Sequence, residues 1–244
     1  MLSAHDLVMV RNERTILNIK HVELHEGQFV AIIGRNGAGK TSLIKALGLL
    51  SDFKCSAYTL CGLRRDVHGE RLAIMRQFAH VFQRPAFLRG DAVYNVALPL
   101  LLRGVNRSRA EQVALKWLTL VQAEHLAKRA PHTLSGGEGA RLSLARALVT
   151  EPKMLFFDEP FSGLDVESLA YILRHLKSWL AESNTTGVLV THSYNEVAHL
   201  ADRLVVMGEG TISADGTPRQ VLTNPTTSFL RDFVSIGAHC PGFD

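Results

Sequence analysis

Short apolar runs punctuate this chain at Leu7–Val10, Phe29–Ile33, Ala79–Phe82, Met154–Phe157, Val188–Val190 and Leu204–Val206. The last four are almost continuously apolar, which predicts strands buried on both faces of a parallel sheet. Helical patterns lie between several of them, and strand–helix alternation of this kind predicts an α/β core. From about Asp91 to Val149 the pattern changes, and no convincing strand is present. There Val113, Trp117, Leu120 and Val121 fall at i, i+4, i+7 and i+8, one face of a helix. The expected architecture is therefore a helical insert within an α/β core. Asp215-Gly216 and Asn224-Pro225 are turn signals, and the tail from Ala238 to Asp244 is expected to fray.

Composition narrows the function classes. A chain of 244 residues with 46% hydrophobic and 20% charged residues is long enough to bury a core and ordinary for a globular protein. The net charge of +4 is scattered and too small to argue for nucleic-acid binding; the short cluster Arg103, Arg107 and Arg109 reads as a solvated face. Cys55, Cys61 and Cys240 leave at least one thiol unpaired and have no metal-ligand spacing, which points to a reducing compartment. The start Met1-Leu2-Ser3-Ala4-His5-Asp6 lacks a secretory pattern, and the apolar stretch Val96–Leu102 is too short to span a bilayer. Any membrane role is expected to come through a partner.

The strongest chemical signal is Gly34-Arg35-Asn36-Gly37-Ala38-Gly39-Lys40-Thr41-Ser42, which fits G-x-x-x-x-G-K-[ST]. An apolar strand precedes it and helix-forming Leu43–Leu47 follows. Glycines let the backbone curl so that successive N–H groups face one anion, and the helix N-terminus adds partial positive charge. Lys40 is placed to reach the β- and γ-phosphates, and the Thr41 hydroxyl to ligate Mg²⁺.

A second apolar strand ends in Asp158-Glu159-Pro160. Asp158 is expected to hold Mg²⁺ beside Thr41, and Glu159, pointing differently, to orient and deprotonate the attacking water. Leu134-Ser135-Gly136-Gly137-Glu138 precedes a helical run. Ser135 with Glu138 is a capping box on one reading. On the other, the two glycines admit a phosphate to the helix N-terminus. Two anion sites and a single phosphate loop suggest a shared nucleotide.

In these motifs the chain resembles the ATP-binding cassette family, over nearly its whole length. The matching elements, in order, are the phosphate loop, Val81-Phe82-Gln83, Leu134–Glu138, the Asp158-Glu159 strand, Ser162-Gly163-Leu164-Asp165, and Val190-Thr191-His192. The resemblance implies one domain over residues 1–244, with a P-loop NTPase (RecA-like) core and an antiparallel β subdomain in about 1–84 and 150–236. An inserted α-helical signature subdomain would occupy about 85–149. It implies a head-to-tail dimer, expected to be a homodimer, enclosing two ATP molecules. Each would lie between one copy's Gly34–Ser42 and the other copy's Ser135–Glu138. It further implies that Gln83 ligates Mg²⁺ and senses a membrane partner, that His192 contacts the γ-phosphate, and that Asp165 couples the two sites.

The chain departs from the family pattern in places. Position 138 is Glu where Gln is commonest, and Gly139-Ala140-Arg141 is unusual. Where the family places an adenine-stacking aromatic, this chain has Val10-Arg11-Asn12. Arg11 is either a guanidinium stacked on the base or a surface arginine.

The resemblance implies an ATPase subunit at the cytoplasmic face of the cell membrane. It would power separate polytopic permease subunits fed by an extracytoplasmic solute-binding protein. The segment Arg84–Gly90 would help receive a coupling helix of the permease. Phe82-Gln83-Arg84-Pro85, Asn95-Val96-Ala97 and Leu102–Val105 are similar to tungstate-type oxyanion importers. The chain ends soon after the cassette, so the appended β-domain of sugar-type importers is not expected. The alternative is a single-cassette ATPase outside transport, in cofactor assembly or cell division, and the identity of the stable partner discriminates the two.

Overall fold

The computed structural model describes residues 1–66 and 70–237. The expected fraying of Ala238–Asp244, and Cys240 with it, lie outside the described residues.

The chain opens with a hairpin of β1 (Leu2–Arg11) and β2 (Arg14–Leu24), then β3 (Phe29–Gly34) and helix α1 (Lys40–Leu47). Strands β4 (Ala57–Leu60) and β5 (Leu63–Arg64), helix α2 (Glu70–Met75) and strand β6 (Phe78–Phe82) follow. Helices α3 (Ala92–Leu101), α4 (Arg107–Leu120) and α5 (Gly136–Leu148) lead to β7 (Met154–Asp158), α6 (Val166–Glu182), β8 (Thr186–Val190) and α7 (Tyr194–Leu200). Strands β9 (Arg203–Gly208) and β10 (Thr211–Gly216) and helices α8 (Pro218–Thr223) and α9 (Ser228–Gly237) complete it.

Two sheets result. One is antiparallel in the order β2-β1-β4-β5; the other runs β10-β9-β3-β8-β7-β6, parallel except for β10. This is the mixed α/β cassette fold expected from the motifs. Strands β3 and β8 are buried at every residue, as continuous apolar runs require. β6 departs from that expectation. It is an edge strand, so Ala79, His80 and Phe82 stay half-buried.

One apolar core fills the space between the two sheets, with Leu17, Ile32, Leu43 and Phe156 among its members. A second joins α3, α4, α5 and α6 to the opposite face of the parallel sheet. The stripe buried on α4 is not quite the expected one. Ala110, Ala114, Trp117 and Leu118 are buried, while Val113 and Leu120 are half-buried at its border. Small alanines allow the close approach of α3 and α5 that larger side chains would prevent.

Candidate nucleotide site

The parallel register sets the site. Asp158 pairs with Val190 at the C-terminal ends of β7 and β8, and β3 beside β8 delivers Gly34 to the same edge. Ligands of open α/β sheets gather at that edge, where the loops leave the strands. Here the phosphate loop, Glu159 and His192 line one cleft of about 470 Å³. Its wall also includes Ile16 of β2, which no sequence motif marked.

The loop itself depends on its glycines. Gly34 (φ 153°) lies where an added Cβ would collide with the Met207 carbonyl oxygen, and Gly39 (φ 97°) abuts Leu17 Cδ2 at 2.8 Å from that position. Both angles are in the left-handed region that favours glycine. Lys40 is buried, its Nζ donating to the carbonyls of Gly34 (2.9 Å) and Arg35 (3.1 Å). Burial pulls its pKa below the usual lysine value, against the opposing pull of Glu159 and Asp158. A cation so placed is surrounded by acceptors it can exchange for phosphate oxygens.

Thr41 Oγ1 donates to Asp158 Oδ1 at 2.7 Å. A hydroxyl and a carboxylate brought together beside a phosphate loop suit Mg²⁺, which prefers few protein oxygens and completes its shell with water and substrate phosphates. Glu159 follows Asp158 but turns away from it, because its backbone is left-handed (φ 49°) and its N–H donates to the Val190 carbonyl at 3.1 Å. Its carboxylate meets two of the expected residues: Oε1 lies 2.8 Å from His192 Nε2, and Oε2 accepts from Gln83 Nε2 at 3.5 Å. Gln83 therefore approaches the site through Glu159. No hydrogen bond joins it to Thr41 or Asp158 among the described residues.

Beneath His192, Thr191 pairs with buried Glu196, a residue that the motifs did not single out. Thr191 Oγ1 donates to Glu196 Oε2 at 2.5 Å and accepts from the Ser193 N–H at 2.9 Å. Burial, followed by the negative charge of Glu159, pushes the Glu196 carboxyl up, while the Thr191 hydroxyl opposes that shift.

Ser135 to Glu138 lie elsewhere. They begin α5, and the capping box is fully formed: Ser135 Oγ accepts from the Glu138 N–H at 3.3 Å, and Glu138 Oε2 accepts from the Ser135 N–H at 2.7 Å. Ser135 and Gly136 line a different cleft of about 830 Å³, with Gln83, Phe87, Leu88 and Gly163. None of the residues lining this cleft lines the phosphate-loop cleft. Asp165 is likewise outside it and caps α6, accepting from the Ser168 N–H at 2.8 Å and the Ser168 hydroxyl at 2.7 Å. Arg11 is exposed, paired with Arg14 at the tip of the first hairpin, and is not among the residues lining either cleft.

A family profile described as "ABC transporter" matches residues 17–162, which include the phosphate loop, Gln83, the Ser135 segment and Glu159. The chain belongs to the ABC transporter family. It carries that family's ATPase cassette. It is 38% identical over 220 residues to the sulfate/thiosulfate import ATP-binding protein CysA of Bacillus cereus, a match covering 88% of this chain and 60% of that protein. The CysA protein of Pectobacterium atrosepticum is 36% identical over 227 residues, covering 89% of this chain and 67% of that one. This ABC cassette thus spans about 60% of the length of the first of these relatives. Among solved structures, a dimeric post-hydrolysis state of the ATP-binding cassette MJ0796 bound to ADP and Pi superposes with a TM-score of 0.80. It is 26% identical, over 89% of this chain and 98% of that one. CbiO1 of Clostridium perfringens shares the fold, with a TM-score of 0.81, 24% identity, and coverage of 98% of this chain and 95% of that one. Among the described residues, no helix is long and apolar enough to cross a membrane.

Proposed function

We propose that this chain binds and hydrolyses ATP as the motor subunit of an importer for a small oxyanion. It acts as a head-to-tail homodimer at the cytoplasmic face of the membrane, against separate polytopic permease subunits. An extracytoplasmic binding protein hands cargo to those subunits.

The observation that carries this reading is the separation of the two clefts. One chain places Lys40, Thr41, Glu159 and His192 around a single space, with Asp158 accepting from the Thr41 hydroxyl, and opens Ser135 and Gly136 onto another. The first set has the lysine, cation ligands and base that phosphoryl transfer to water needs. The second offers a helix N-terminus, whose first N–H groups have no partner within the helix. A second copy brings the second set over the first.

In this site Lys40 and the loop N–H groups hold the β- and γ-phosphates. Thr41 and Asp158 would hold Mg²⁺, with Gln83 joining them on closure; the ion, when bound, offsets charge on the phosphate oxygens. Glu159 takes a proton from the attacking water at its carboxylate, and His192 Nε2 keeps that carboxylate oriented until the γ-phosphate arrives. Asp165 couples the two copies. The loop Arg84–Gly90 between β6 and α3, whose Leu88 is 60% exposed, faces the permease.

Tungstate or a related tetrahedral oxyanion is the cargo this reading names. Its support is the likeness to sulfate/thiosulfate import proteins, added to the sequence features after Gln83. The test is purification of the Glu159→Gln chain from its own cells in mild detergent with ATP, followed by mass spectrometry. A co-purifying polytopic permease and a binding protein that takes up tungstate, molybdate or sulfate are expected. Exclusively soluble partners would overturn the transport reading.

A further inference from the structure

The end of α5 carries a full negative charge where the shared-site reading needs to receive a triphosphate. Glu138 is the third residue of the helix, and its Oε2 is committed to the Ser135 N–H at 2.7 Å. That contact is the main reason its carboxyl is held below the ordinary glutamate range, with further help from the Ser135 hydroxyl, Arg129 and His125. An ionised carboxylate within one turn of Gly136 and Gly137 opposes the anion-attracting character of the helix end.

The remaining oxygen answers this. Glu138 Oε1 lies 3.0 Å from Arg129 Nη1, and His125 Nε2 is 4.0 Å away. Arg129 is itself anchored, because its Nη2 donates to the Thr133 carbonyl at 2.7 Å and its own carbonyl accepts from the Ala92 N–H at 2.9 Å. One side chain thus spans the loop before the helix and terminates on the carboxylate. Among the described residues, no hydrogen bond joins the Gly136 or Gly137 N–H to it.

We propose that Arg129 is a positioning residue of the shared nucleotide site. Its guanidinium offsets the Glu138 charge, so that the N-terminus of α5 accepts the phosphates of the ATP held by the other copy. The inference rests on the shared-site reading above and goes beyond it by assigning a residue outside every motif. It also accounts for a carboxylate at position 138: the arginine makes that end of the helix electrically neutral, which an amide would be without help.

The test compares steady-state ATPase kinetics and ATP-dependent dimerisation of the full chain for R129Q, R129K, E138Q and R129Q/E138Q. Loss of the guanidinium in R129Q is expected to raise the half-saturating ATP concentration by about threefold to tenfold, as for removal of one partner of a close charge pair. The maximal rate is expected to stay within about twofold, because the reacting groups are elsewhere. Removing the carboxylate as well makes the helix end neutral again and should bring R129Q/E138Q back near the parent, whereas R129K, which keeps the charge but cannot span Glu138 and Thr133 with one fork, should fall between the parent and R129Q. A purely structural arginine would lower the melting temperature in R129Q and in the double variant alike, with no recovery of ATP dependence. Failure of R129Q/E138Q to recover, or an R129K as impaired as R129Q, would overturn the assignment. Dimerisation of Ser135→Arg in the same buffer separates the two levels. A normal dimer there removes the shared site itself, whereas a blocked dimer with an unrescued double variant removes only the role of Arg129.

Discussion

Nε2 of His192 lies 2.8 Å from Oε1 of Glu159, and the backbone of Glu159 is tied by its N–H to the carbonyl of Val190, two residues before that histidine. Neighbouring parallel strands therefore hold Glu159 and His192 together as a unit. Glu159→Gln keeps the shape and removes the basic oxygen. We expect turnover to fall by about 10²- to 10⁴-fold, the range for loss of a general base, with ATP binding retained and an ATP-bound dimer accumulating on gel filtration. Rapid turnover by this variant would exclude Glu159 as the base.

Ser135 opens onto a cleft that shares no lining residue with the phosphate-loop cleft. Ser135→Arg puts bulk and charge at the start of α5 and removes the hydroxyl that caps Glu138. ATP-dependent dimerisation is expected to disappear while ATP binding to the isolated chain persists. Sedimentation velocity with and without ATP reads the outcome, and an undiminished dimer refutes the shared site.

Arg11 sits exposed at the hairpin tip, whereas Ile16 lines the phosphate-loop cleft. If the guanidinium stacks on the base, Arg11→Ala should weaken ATP binding by about fivefold to twentyfold, the scale of one cation–π contact, and narrow the preference for ATP over GTP. Titration with both nucleotides decides it; unchanged affinity and preference leave Arg11 a surface residue.

The buried Glu196 carboxyl gives a pH signature. Its folded-state pKa is raised, chiefly by burial and then by Glu159, so the native protein binds this proton more tightly than the unfolded chain does. Stability from this group is fully present below the unfolded value of about 4.3 and is lost as pH rises through the raised folded value. Glu196→Gln keeps an acceptor for the Thr191 hydroxyl and removes the titration. The melting temperature of the variant relative to the parent is expected to climb with pH across that window and then level off. A difference independent of pH would mean that Glu196 does not titrate there.

Much of this protein was legible along the chain because its determinants are local. The phosphate loop needs glycines, a lysine and a hydroxyl within a few residues, and β3 and β8 needed only uninterrupted apolar runs. Other elements were hidden for physical reasons. The long β2 changes its inward-facing set part-way: Leu17 and Ile19 are buried, two exposed residues intervene, and Val22 and Leu24 resume, so no clean alternation marks it. On α4 the buried face is built partly from alanines, whose small size serves close packing and gives periodicity little to register.

By itself, then, the sequence determined the cassette family, the helical insert between β6 and β7, and the residue types of the candidate site, because short-range backbone geometry and side-chain chemistry specify each of them. Only the tertiary structure decided which groups meet. Strand register brought Thr41 to Asp158 and His192 to Glu159. Packing of the helical insert opened Ser135 onto a separate cleft and placed Arg129 on Glu138. These relationships join residues on different elements, or on a loop and a helix whose relative placement is set by the core that holds both. Side-chain spacing along the chain therefore carries no record of them.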